Sequence, residues 1–146
     1  MAVKFLFLKI MTQIRQSQNS MRYPQLELVF QPARGYTPAV CNCLIDTGFD
    51  SFLIINKKTA EKIGFRAKFL THELSPYSKK PVPREVGEVE IGLSLEDGTE
   101  YIILVEAVLF PAEEACIIGS GFLQKMCKEL DCKLTFDYHR DLVILE

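Results

Sequence analysis

The chain has 146 residues, 48% of them apolar and 25% charged, with a formal net charge of −2 at pH 7. That size and balance describe one globular domain and exclude a disordered or collagen-like chain. The 17 basic and 19 acidic side chains are interspersed without a basic stripe, so the electrostatic footprint of a nucleic-acid binder is missing.

The opening "MAVKFLFLKIMTQIRQ" is apolar but interrupted by Lys4 and Lys9. It is too short to span a bilayer and has no small-residue cleavage site, so no membrane partner is expected. Residues 11–20 are polar and without a clear period. Residues 1–21 therefore read as an appendage, and 22–146 as the domain. From Tyr23 onward, short apolar runs alternate with turn residues, which predicts a mainly β domain. "QLELVF" and "TPAVCNCLI" flank "QPARGY", whose Pro32 and Gly35 suit a hairpin connection. "SFLII" reads as a short strand. "NKKTAEKIGF" reads as a two-turn helix with Asn56 as N-cap and Gly64 as its stop.

"RAKFLTHEL" and "REVGEVEIGLSLE" are strand-like, separated by the proline-rich "SPYSKKPVP", which predicts a projecting loop or hairpin tip. "EDGTE" marks a turn into "YIILVEAVLF", whose continuous apolar run predicts a strand buried on both faces. "ACIIGS" returns a strand to a glycine, "GFLQKMCKEL" has helical spacing, and "CKLTFDYHRDLVILE" closes as a hairpin. An apolar run ending at Gly48 is echoed by another ending at Gly119, each followed soon by a helix.

Cys41, Cys43, Cys116, Cys127 and Cys132 form an odd set without paired C-x-x-C spacing. Neither a disulfide framework nor a zinc site follows, and reduced thiols in a cytoplasmic setting fit better. His72 and His139 add no recognised ligand spacing, so no metal and no cofactor are expected. Cys41 and Cys43 fall on the strand face opposite Asp46 and read as small buried hydrophobes.

The chemistry concentrates in "NCLIDTGFDSF", residues 42–52, where Asp46 ends an apolar strand. Desolvation there would raise a carboxyl pKa, and a second carboxylate alongside would make the pair share one proton. Such a dyad deprotonates a water that attacks a peptide carbonyl and then protonates the departing nitrogen, without metal or covalent intermediate. The chain holds one Asp-Thr-Gly, so the second carboxylate would have to come from another copy across a two-fold axis. Thr47 would find a hydrogen-bond partner in the opposing loop, and Gly48 would permit a turn and close approach. The plain alternative is that Asp46 starts an Asx-turn between strands.

"CLIDTGFDSFLI", "CIIGSGFLQKM" and "LDCKLTFD", in that order, resemble the catalytic loop, second signature and following strand of the retropepsin-like aspartic proteases. The resemblance covers roughly Leu26 to Glu146. It implies a retropepsin-like closed β-barrel with a flap hairpin and one or two short helices. It also implies a homodimeric aspartic endopeptidase acting on a peptide or protein substrate. Asp46 matches the catalytic aspartate, with Thr47 and Gly48 completing the motif. Leu44 and Ile117 match residues that line the substrate pocket, although core packing accounts for either one singly. Asp50 matches a position that contacts substrate backbone in some relatives, but the arginine that often partners it is here Ser120. Phe49 replaces a more usual small residue and would either alter the pocket or pack inward. Tyr77, in a flap without glycine, would cover a bound peptide or stand as an exposed loop aromatic. The rival reading is a non-catalytic dimer that keeps the groove for peptide binding or assembly.

Overall fold

A computed structural model describes residues 6–9, 13–14, 22–73, 80–94, 98, 100–140 and 142–145. In chain order the elements are β1 (Leu6–Lys9), β2 (Gln13–Ile14), β3 (Arg22–Tyr23), β4 (Gln25–Phe30), β5 (Ala39–Ile45), β6 (Leu53–Ile55) and α1 (Lys57–Ile63). They continue with β7 (Phe69–Glu73), β8 (Val82–Ser94), β9 (Glu100–Leu109), β10 (Ile117–Ile118), α2 (Ser120–Leu130), β11 (Leu134–Asp137) and β12 (Leu142–Leu145). The main sheet runs β4-β5-β10-β6-β9-β8-β7, and β8 also pairs with β4 through Val29 opposite Gly92 and Phe30 opposite Ile91. That second pairing closes six strands into a barrel and leaves β7 attached to β8 alone. Closure removes the sheet edges that would otherwise carry unpaired backbone groups.

Alternate side chains of these strands fill the barrel: Leu26, Leu28 and Phe30 from β4, Cys43 and Ile45 from β5, Ile91 and Leu93 from β8, and Ile103 and Val105 from β9. Helix α2 adds Phe122, Leu123 and Met126, which recur at helical spacing on one face. The β4–β5 hairpin, both helices and the β11–β12 hairpin form where the sequence places them. Asn56 caps α1 by accepting the Thr59 N–H at 2.9 Å, and Gly64 ends it in the left-handed region at φ 71°.

Two expectations need correction. Strand β9 is buried on one face only: Ile102 and Leu104 are 52% and 49% exposed, while Ile103, Val105 and Ala107 are buried. A barrel has one interior, so apolar residues on the outer face of β9 remain in water. The proline-rich connection is also shorter than the sequence suggests, because β8 begins at Val82 and Pro83 stands in its ladder opposite His72. Residues 75–79 of that connection, which include Tyr77, lie outside the described residues, as does Leu74 at the end of the preceding strand-like run. At the N-terminus, β1 pairs antiparallel with β12, Leu6 opposite Leu145 through Lys9 opposite Leu142. Among the described residues no helix is long and apolar enough to cross a membrane.

Candidate active site

Asp46 follows the last residue of β5, and its position is fixed from a distant part of the chain. Strand β10 lies between β5 and β6, parallel to the first and antiparallel to the second. It is two residues long, yet it anchors both flanks of the Asp-Thr-Gly turn. The Leu44 N–H donates to Cys116 O at 3.0 Å and the Asp46 N–H to Ile118 O at 2.9 Å. On the return side, the Gly119 N–H donates to Phe52 O at 2.9 Å, the Ser120 N–H to Phe49 O at 2.8 Å and the Gly121 N–H to Ser51 O at 3.0 Å. Ser120 Oγ adds a bond to the same Phe49 carbonyl at 3.3 Å. Three consecutive N–H groups at the start of α2, which otherwise lack partners within the helix, are thus satisfied by the loop carrying Asp46.

The clasp is close because its two glycines have no side chain. A Cβ on Gly119 would stand 2.2 Å from Ser51 O and 2.6 Å from the Phe49 ring, and one on Gly121 2.9 Å from Ser51 O. Within the turn, the Gly48 N–H donates to Asp46 Oδ1 at 2.9 Å and the Phe49 N–H to Asp46 O at 3.2 Å. Gly48 has no positive φ; a Cβ there would stand 3.2 Å from Asp46 Oδ1. The bond from Gly48 is the one a plain Asx-turn would make. The clasp from residues 119–121 is more than such a turn requires, since an Asx-turn closes on its own backbone.

Asp46, Thr47, Gly48 and Asp50 are exposed in the single chain. The buried strand therefore does not itself desolvate the carboxylate, contrary to the sequence argument, because the chain turns outward after Ile45. Leu44 and Ile117 are brought together as direct register partners, and Ile54 extends the row across β6. Leu44 and Ile54 are only 8% and 6% exposed, yet they stand apart from the main core cluster, on the strand faces opposite Ile45 and Leu53. Phe49 is half-buried with its ring against Gly119. Ile54 and the glycine pair went unassigned by sequence reasoning; the echo of Gly48 by Gly119 was the available signal. A cavity of about 680 Å³ beside α1 is lined by Tyr36, Lys57, Phe65, Arg66, Leu109 and Pro111, and Asp46 is not in its wall.

The thiols on the opposite face contribute packing. Cys43 is fully buried, and Cys41 and Cys116 both contact Thr59 Oγ1, at 3.4 and 3.5 Å. A hydrogen bond with Cys116, then burial, pushes the Cys41 thiol far up. The Cys41 bond pulls the Cys116 thiol down, but the Cys43 bond and burial outweigh it and leave it raised to about 11. Both stay protonated at neutral pH. Among the described residues no group of three or more His, Cys, Asp and Glu is placed to hold a metal.

A solved retropepsin-like aspartic protease from Rickettsia conorii superposes on this chain with a TM-score of 0.60. The superposition covers 97% of this chain and 89% of that protein at 14% identity. The fold is that of the retropepsin-like aspartic proteases. EIAV protease complexed with the inhibitor HBY-793 also matches, over 82% of this chain and 98% of that one, at 14% identity and a TM-score of 0.43. No protein-family model matches the chain, and no curated protein matches it. At such identity a retropepsin-like likeness concerns the path of the backbone; what the site does must be argued from the residues on it.

Proposed function

We propose that the chain is an aspartic endopeptidase whose catalytic dyad forms from the Asp46 carboxylates of two copies related by a two-fold axis. The observation that carries this reading is the clasped turn: an exposed carboxylate on a rigid Asp-Thr-Gly loop, held by the Gly119–Gly121 segment in a retropepsin-like barrel. Rigidity matters because the barrier falls only if the carboxylate is already placed when water and substrate arrive. Exposure in one chain matters because a dyad shared between copies needs each half to reach the other.

In the dimer, one carboxylate takes a proton from water as it attacks the peptide carbonyl, and the proton held by the pair passes to the departing nitrogen. The pair works while it holds one proton between two carboxylates, so activity is greatest below neutral pH. Thr47 closes the two loops on each other. Leu44 and Ile117 offer an apolar wall to the substrate, and Asp50 and Phe49 flank it. No metal or cofactor enters this chemistry.

The test is cleavage of a diverse peptide pool across the acid to neutral range by the parent and by Asp46→Asn, with sedimentation in parallel. The variant is expected to lose at least about a hundredfold in rate while remaining dimeric. Equal cleavage by both forms, or full activity from a stable monomer, overturns the dyad. A dimer that cuts nothing, and binds peptides equally well with Asp46→Asn, is instead a peptide-binding module on the same fold.

A further inference from the structure

Helix α2 ends at Leu130, and Asp131 follows in the left-handed region at φ 50°. That single residue turns the chain back, so that the Cys132 N–H donates to the Cys127 carbonyl at 3.0 Å, the long bond of a Schellman cap. Such caps are commonly accompanied by an apolar contact between the two residues so bonded. Here both are cysteines, and their thiols lie near enough for Cys127 to join burial in pushing the Cys132 thiol up. Both are free and half-buried, whereas Cys43 and Cys116 are sealed in the core. The backbone bond between Cys127 and Cys132 brings their side chains together at the cap, the proximity that a disulfide needs.

We propose that Cys127 and Cys132 are a redox-modification site, at which a low-molecular-weight disulfide such as oxidised glutathione closes an intramolecular disulfide across the C-terminal cap of α2. One cysteine thiolate attacks a sulfur of the oxidant, breaks its S–S bond and releases one small thiolate. The second cysteine thiolate then attacks the cysteine sulfur of the mixed disulfide and releases the other. The two cysteines lose two electrons, the oxidant becomes two thiols, and the cysteine protons end on those thiols. Burial, the neighbouring Cys127 and the Asp131 carboxylate push the Cys132 thiol up to about 11, and burial raises Cys127 as well. The pair therefore rests as protonated thiols at neutral pH, and closure passes through a small thiolate fraction.

The sequence supplies a direct readout. Trypsin cuts after Lys125, Lys128 and Lys133, which puts the two cysteines on separate peptides, residues 126–128 and 129–133. The full chain, equilibrated with oxidised and reduced glutathione and then alkylated, is expected to yield these two peptides joined by a disulfide that dithiothreitol releases. The equilibrium constant for closure should exceed that of the chain unfolded in guanidinium by at least about tenfold, because the fold holds the thiols together. In Cys132→Ser, the mixed disulfide with glutathione should persist on Cys127. Recovery of the two peptides separately from the oxidised parent, alkylated or each carrying its own glutathione, overturns the proposal. Equal constants for the folded and unfolded chain do the same. None of these readouts depends on the chain's own cleavage of a peptide.

Discussion

At the scale of single residues, the site depends on absent side chains as much as on the carboxylate. Gly119 is the sharpest case, with the space of its missing Cβ filled by the Ser51 carbonyl and the Phe49 ring. Gly119→Ala must push the Asp46 loop away from α2, and overpacking of this kind costs about 1–3 kcal/mol. The expected result is a lower midpoint in urea together with loss of peptide cleavage, since the loop that moves is the one carrying Asp46. A melting midpoint unchanged from the parent would show that the clasp yields freely. The Asp-Thr-Gly motif was legible from sequence because its three residues are contiguous. The glycine clasp was legible only as an echo, because its partners at 49–52 lie about seventy residues away along the chain.

At the scale of elements, two short polar anchors do more than the sequence disclosed. Asn56 was readable as the cap of α1, but its Nδ2 also donates to Glu114 O at 2.7 Å, tying the helix start to the loop before β10. Asn56→Ala removes both bonds at an 8% exposed position and is expected to cost about 1–2 kcal/mol, measured by denaturant unfolding. In the β11–β12 turn, the Arg140 guanidinium donates to Asp137 at 2.7 Å, and the backbone N–H groups of Arg140 and His139 add bonds at 3.0 Å. Arg140 first, with those N–H groups, holds the Asp137 carboxyl below its ordinary value. A depressed folded pKa gives stability above the unfolded pKa that is lost as pH falls through the folded one. Asp137→Asn should therefore melt below the parent at neutral pH and converge with it in strong acid. A constant gap across that range would remove the carboxylate from the account. Strand β9 shows where element-scale reading fails: its apolar run fits a strand buried on both faces, but Ile102 and Leu104 face outward because the barrel has one interior.

At the scale of the whole molecule, the proposed chemistry asks for two chains, since each carries one Asp46. Cleavage per chain should fall on dilution in step with the loss of dimer in sedimentation, and an excess of Asp46→Asn chains should poison the parent by forming mixed dimers. Activity per chain that holds constant where only monomer sediments would make one chain sufficient. The amino-acid sequence by itself determined the strand-rich class, both helices, the caps of α1, and the place of the Asp-Thr-Gly motif at a strand end, because these depend on period, turn chemistry and neighbouring residues. Only the tertiary structure decided that β8 closes the barrel onto β4, that Leu44, Ile117 and Ile54 form one row, and that α2 grips the Asp46 turn. It also decided that Asp46 stands in solvent in a single chain. The physical reason is the same in each case: a long-range backbone pairing sets position and burial, and no local pattern records which distant carbonyl an N–H will meet.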